Sequence, residues 1–324
     1  MKKCMALLLV LMVALCAFAI AEEVDYTAVP EGMTIGFINY TDSQEDAKTR
    51  HQGIEDWAKE HGVEVLYTEA SGDAAKMMSA CDTYILQGVD VIVDTNWNPG
   101  GGSALVQKCN AAGIPLISID TYYEGENSYF VGVDNEGVGR MGGEAAAKYA
   151  MKRFDGKVDY LIVTYAAALE SINARTTFAL EGLRQAGIEI ADENYFELET
   201  GVGDCTQLAR QQMTDWLTAH PDGNTVIVSG NTSNTLGLQA AIEAQNRADD
   251  CIIISHGFDT PAHQAIENGS KLWVAAIDYM NYYYGKDVME LAVRLANGEK
   301  IDQTHFYVQT RYVDGDNYAE VVGE

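Results

Sequence analysis

Residues 33–68 read MTIGFINYTDSQEDAKTRHQGIEDWAKEHGVEVLYT, and this stretch decides the fold. It opens on a short β-rich run, MTIGFIN, crosses an amphipathic segment over 44–61, and closes on a second β-rich run, VEVLYT. Two strands with a helix of that length between them predict a parallel βαβ unit, since a hairpin turn is far too short to span the gap. DVIVDT, PLISID and YFVGVD continue the pattern, with helices over 73–87 and 102–112 separating the next strands. After Asp134 the alternation starts afresh with DYLIVT, IEIADENYFEL, TVIVSG, CIIISHG and KLWVAAID, and helices near 170–186, 205–219, 234–247 and 260–268. The expectation is two similar, doubly wound α/β lobes. Ligands of open parallel sheets lie beyond the carboxyl ends of the strands. Those positions hold Asn39-Tyr40, Asn96-Trp97, Asp120-Thr121, Thr164-Tyr165, Asn231-Thr232, Gly257-Phe258-Asp259 and Asp278-Tyr279.

The chain has 324 residues, 47% of them hydrophobic, which suits two domains of about 150 residues and excludes disorder. Lys and Arg number 21 against 48 Asp and Glu, a net charge of −27. Such a surface repels phosphodiesters and anionic lipid heads, so nucleic acid and membrane surfaces are poor partners. Lys2 and Lys3, the apolar run MALLLVLMVALCAF over 5–18 and Ala19-Ile20-Ala21 form a signal peptide over 1–21, with the mature chain starting at Glu22. Removal leaves 19 basic against 48 acidic residues. Lipidation at Cys16 is the less favoured alternative, because the bulky Leu15 precedes it where a small residue is needed. No later stretch approaches the roughly 20 apolar residues of a membrane span. The expected location is therefore outside the cytoplasmic membrane, in the periplasm or at the cell surface.

Beyond the leader stand Cys81, Cys109, Cys205 and Cys251, none in a zinc-binding spacing. They read as buried thiols, with a Cys81–Cys109 disulfide left open. Gly137-Val138-Gly139-Arg140-Met141-Gly142 matches a dinucleotide fingerprint, yet it follows the fifth strand of its half, so close helix packing is the better account. Pro99-Gly100-Gly101-Gly102-Ser103 lacks the Gly-Lys-Ser/Thr ending of a phosphate loop. Ser229 and Ser255 sit in no nucleophile elbow, and the histidines read as surface or hydrogen-bonded residues. Asp314-Gly315-Asp316-Asn317 reads as a turn, lacking the remaining ligands of a calcium loop. Tyr282-Tyr283-Tyr284 reads as a helix face packed on its sheet. No cofactor, metal or catalytic group is expected.

What stands out is the strand-end set. Carboxylates accept pairs of hydroxyl protons, Asn donates and accepts, Arg donates a fork and flat rings cover C–H faces, which together is the chemistry a sugar needs. At these residues the sequence resembles the ribose-binding type of periplasmic binding protein, the sugar receptors of ATP-binding-cassette transporters, which share their fold with lactose-repressor ligand domains. The likeness runs from about Met33 to Tyr318. It is carried by Gly113-Ile114-Pro115 leading to Asp120, Val133-Asp134-Asn135 with Gly139, Leu217-Thr218-Ala219-His220-Pro221-Asp222, Asn231 with Leu236-Gly237, and Gly257-Phe258-Asp259.

The resemblance implies two parallel-sheet lobes joined by a three-strand hinge, with ligand in the cleft between them. The chain would cross near Asp134-Asn135, Asp278-Tyr279 and Val308-Gln309, giving one lobe of 22–134 plus 279–308 and another of 135–278 plus 309–324. It also implies ligand contacts at Asp120, Arg175, Asn231, Asp259 and Asp278. Where the family commonly has Asn-Pro-Phe-Phe after the first strand, this chain has Gln44-Glu45-Asp46-Ala47, and the aromatic residue expected before the second helix of the far half falls near Asp204. Gln44, Asp46 and Asp204 join the candidate ligand set. Tyr40, Trp97, Tyr122 and Tyr165 are the candidates for the missing apolar contacts. The expected function is non-enzymatic: a monomeric receptor that captures a small neutral sugar or polyol for a membrane permease, with a sensor for a chemoreceptor or kinase, for instance of a furanosyl signal such as autoinducer-2, as the alternative.

Overall fold

A computed structural model describes residues 25–95, 99–165, 170–201 and 204–323. The leader segment and Trp97 lie outside these residues. The first sheet contains β1 (Thr34–Asn39), β2 (Glu64–Glu69), β3 (Val91–Asp94), β4 (Leu116–Ile119), β5 (Ser128–Gly132) and β11 (His305–Tyr307), in the order β11-β5-β4-β3-β1-β2. Every pairing in it is parallel. The second contains β6 (Tyr160–Tyr165), β7 (Tyr195–Glu199), β8 (Thr225–Ser229), β9 (Cys251–His256), β10 (Trp273–Asp278) and β12 (Arg311–Asp314), in the order β12-β10-β9-β8-β6-β7. Only the β10–β12 pair is antiparallel. The two orders are the same pattern, so the molecule has two α/β lobes of the expected doubly wound kind. Each reverses direction beside its first strand, and there the crevice for a ligand opens.

Helices α1 (Glu45–His61), α2 (Ala74–Gln87), α3 (Pro99–Ala112) and α10 (Asn281–Ala296) cover the first sheet, the last following β10 yet packing on α1. Helices α4 (Asn135–Phe154), α5 (Glu170–Thr177), α6 (Ala179–Gln185), α7 (Thr206–Ala219), α8 (Thr232–Ala244) and α9 (Thr260–Glu267) accompany the second, and α11 (Tyr318–Gly323) closes the chain. Buried strand residues fill both faces of each sheet, Ile35, Phe37 and Val93 on one side of the first and Ile38 and Ile92 on the other. This is why the strands read as nearly continuous apolar runs.

Two helix crossings owe their closeness to glycine. A Cβ on Gly53 would stand 2.0 Å from the Tyr282 carbonyl oxygen, which locks α10 against α1. On α4, a Cβ at Gly139 would meet the Ala174 carbonyl at 2.4 Å and one at Gly143 the Ala179 carbonyl at 2.1 Å. The glycine-rich run thus packs α4 against α5 and α6. Two elements differ from expectation. IEIADENYFEL forms a strand only from Tyr195, because a 3₁₀ turn over Asp192–Asn194 interrupts it, although Ile188 and Ile190 are buried. The helix expected near 170–186 is broken at Phe178 into α5 and α6. Cys81 and Cys109 face each other as buried thiols, their Sγ atoms 4.0 Å apart.

Candidate functional site

A cavity of about 350 Å³ lies between the carboxyl ends of the two sheets. Its first-sheet wall is the start of α1, with Gln44, Glu45, Asp46 and Arg50, and Asp120 after β4. Its second-sheet wall is Thr164, Arg175, Asp204, Asn231, His256 and Asp259. Seven of the ten residues named from sequence therefore come together here: Gln44, Asp46, Asp120, Arg175, Asp204, Asn231 and Asp259.

Asp120 follows β4 in the left-handed region, φ +62°, a conformation an Asp tolerates better than most side chains. Its Oδ2 accepts from Arg50 Nη1 at 2.9 Å and its Oδ1 from the Tyr284 hydroxyl at 2.5 Å. All three residues are buried. Burial first, then the Asp120 charge, raise the Tyr284 phenol well above its ordinary pKa, so it stays a donor. Arg50 escaped the sequence reading, though there was a signal: it lies with Ala47, Gly53, Ile54 and Ala58 on the buried face of α1, where a lone arginine needs an acidic partner. Of the tyrosine run only Tyr284 packs inward, while Tyr282 and Tyr283 are exposed, which corrects the expectation that the run packs as a unit.

Across the cavity, Arg175 donates to Asn135 Oδ1 through Nε at 3.2 Å and Nη2 at 2.9 Å, and lies 5.2 Å over the Tyr279 ring. Asn135 and Tyr279 thus aim the guanidinium, a role not legible in sequence. His256 is fully buried, and its Nδ1 sits 2.8 Å from the Tyr279 hydroxyl. Its Nε2 lies toward α4, 3.4 Å from where a Cβ on Gly142 would stand. Burial first, then the Arg175 charge, lower its pKa to about 3, so the ring is neutral at physiological pH. The expectation of a hydrogen-bonded histidine holds, but this one also lines the cavity.

Asn231 caps α8, its Oδ1 accepting from Asn234 N at 2.8 Å while its Nδ2 donates to Cys205 Sγ at 3.9 Å, and the residue lines the cavity. Asp259 occupies the same cap position on α9, yet its side chain makes no capping bond. The cap comes instead from the other lobe: Glu45 Oε1 accepts from Thr260 N at 3.1 Å and Thr260 Oγ1 at 2.7 Å. Asp259 is thereby released into the cavity, where burial first and then the Asp46 charge push its pKa up to about 7.

Two named residues do not join the described lining, and a third is not among the described residues. Asp278 is spent at the crossing, accepting from Arg311 Nε at 2.9 Å and Met280 N at 2.8 Å, and it does not line the cavity. Tyr40 leans on Gly72 beyond β2, its hydroxyl 3.0 Å from where a Cβ there would stand. Trp97 falls outside the described residues. Of the other proposed rings, Tyr122 packs on His305 with centroids 4.4 Å apart.

Because folded Asp259 holds its proton to about pH 7, against an ordinary value of 3.8, the native chain binds more protons than the unfolded one in that window. Stability contributed by this group therefore falls as pH rises. An Asp259→Asn variant is expected to gain on the parent by up to about 1.4 kcal/mol per pH unit between roughly pH 4 and 7. Urea denaturation of both proteins across that range checks it, and parallel curves would refute the assignment.

A polar cavity between two matching sheets, with groups converging from both, fits a clamp for a small solute. The periplasmic binding protein domain model matches residues 35–300. The chain belongs to that family. Members are solute-binding receptors and not enzymes. Among curated proteins it is 26% identical to the ABC transporter periplasmic-binding protein YphF of Escherichia coli, over 89% of each chain. It is 27% identical to the ribose import binding protein of Bacillus subtilis, over 78% of each. An ABC transporter solute binding protein from Mycobacterium smegmatis with bound glycerol superposes with a TM-score of 0.76 at 24% identity, covering 90% of this chain and 98% of that one. Among the described residues no helix of this periplasmic binding protein is long and apolar enough to cross a membrane.

Proposed function

We infer that this periplasmic binding protein is an exported receptor that captures a sugar or polyol and hands it to an ATP-binding-cassette permease. The observation that carries the reading is the convergence of Asp120, Asn231 and Asp259, from strand ends of both lobes, and Arg175, from α5, on one cavity. Gln44, Asp46 and Asp204 complete the hydroxyl-binding set. The names of the relatives, ribose import among them, and the glycerol in the structural neighbour support it. In this reading 22–134 plus 279–308 move as one lobe and 135–278 plus 309–324 as the other. They hinge at the three chain crossings and shut on ligand, since neither wall alone satisfies a polyhydroxy compound. The receptor works as a monomer in the periplasm or at the cell surface, with lipid attachment through Cys16 the lesser alternative, and its acidity keeps it off nucleic acid.

A thermal-shift screen of sugars and polyols tests this. A ligand at 100 times its dissociation constant adds about 2.7 kcal/mol, or roughly 5 to 10 °C in melting temperature. The same ligand is expected to shrink the radius of gyration in solution scattering. No shift across the whole library would sink the reading.

A further inference from the structure

The charges on the cavity wall do not balance. Glu45, Asp46, Asp120, Asp204 and Asp259 stand against Arg50 and Arg175. Arg50 and Asp120 close on each other, and Glu45 is occupied by Thr260. Asp46, from the first turn of α1, and Asp259, before α9, approach the cavity from opposite lobes; among the described residues neither forms a salt bridge, and the Asp259 carboxylate is approached by the Thr232 hydroxyl. After burial, the Asp46 charge is what raises the Asp259 pKa. On the same wall His256 is fully buried and neutral, its Nε2 lying toward Gly142 of α4, so it adds no positive charge to the site. Apart from Tyr279 and His256, the described lining carries no aromatic ring, so recognition here runs through charge and hydrogen bonds and not through stacking.

The geometry points to a ligand that is an aminated sugar or polyol, with its protonated amine held between Asp46 and Asp259 and its hydroxyls met by Arg175 and Asn231. This rests on the receptor reading above and narrows it. An ammonium brings three donors and one positive charge to two carboxylates that have no cationic partner. Beside a neutral polyol, Asp259 keeps its proton up to about pH 7 to avoid the Asp46 charge, whereas an opposite charge between the two stabilises the ionised pair. A metal ion is the poorer occupant, because no group of three or more His, Cys, Asp or Glu among the described residues stands close enough to hold one.

Calorimetry on the full mature chain decides it with matched probes: D-glucosamine beside D-glucose, D-galactosamine beside D-galactose, and an amino-inositol beside myo-inositol. At least one amine is expected to bind 10-fold or more tightly than its hydroxyl parent, and Asp46→Asn is expected to cut that ratio several-fold. Parents that bind as well as their amines, or a ratio unmoved by Asp46→Asn, would overturn the amine assignment while leaving the receptor reading in place. Stabilisation by calcium chloride alone would overturn it in favour of a metal. Silence from every amine and every parent would count against both readings.

Discussion

Replacing Asp120 by alanine is expected to cost about 3–5 kcal/mol of folding stability, because it strands the buried Arg50 guanidinium and the Tyr284 hydroxyl without their shared acceptor. Both sides of that ion pair are almost fully enclosed, with side-chain exposures of 4% and 6%. Coulomb attraction there is therefore poorly screened, and losing one partner leaves a charge that water cannot reach. Urea denaturation at neutral pH measures the loss. Joint replacement, Arg50→Met with Asp120→Asn, removes both charges while keeping a residue suited to φ +62° and an acceptor for Tyr284, and is expected to recover most of the stability with weakened ligand binding. If Asp120→Ala unfolds no more readily than the parent, the ion pair does not hold the α1 end of the site in place.

Arg175→Ala is expected to weaken ligand binding by about 2 kcal/mol or more, roughly 30-fold, through loss of charge-assisted bonds to ligand hydroxyls. The group is held ready for that role: Asn135 and the Tyr279 ring orient it, and no carboxylate forms a salt bridge with it among the described residues. Arg175→Lys is expected to recover only part of the affinity, since a lysine ammonium cannot reproduce a planar fork. Calorimetry of the three proteins with the best ligand from the screen provides the comparison. Equal affinity in the alanine variant would remove Arg175 from the site and reduce it to a link between α4 and α5.

The doubled α/β architecture was legible because it depends on local periodicity. β-rich runs such as DVIVDT and CIIISHG, separated by amphipathic segments, leave few alternatives once a hairpin is too short. The glycine-rich run was read as packing for a positional reason, and the 2.4 Å approach of a Cβ at Gly139 to the Ala174 carbonyl bears that out. Less legible were the breaks. Nothing in IEIADENYFEL marks where pairing begins, since Ile188 and Ile190 are buried outside the strand as firmly as strand residues are within it. Strand-end polarity pointed to Asp120, Asn231 and Asp259, and the family resemblance to Arg175; all four line the cavity.

What the sequence by itself determined is which chemistry reaches the carboxyl ends of the sheets, because the position of a residue after a strand is a local property. What tertiary structure alone decided is which of those groups are spent on one another. Asp120 finds Arg50 from 70 residues away and Tyr284 from 164, across a helix crossing that exists only because Gly53 lets α10 come close. Asp278 is taken by Arg311, and Asp259 is left to the cavity only because Glu45, from the opposite lobe, caps α9 in its place. Such pairings follow from distances of a few ångströms between segments remote in the chain, and those distances are set by the packing of helices against sheets, which no local pattern encodes.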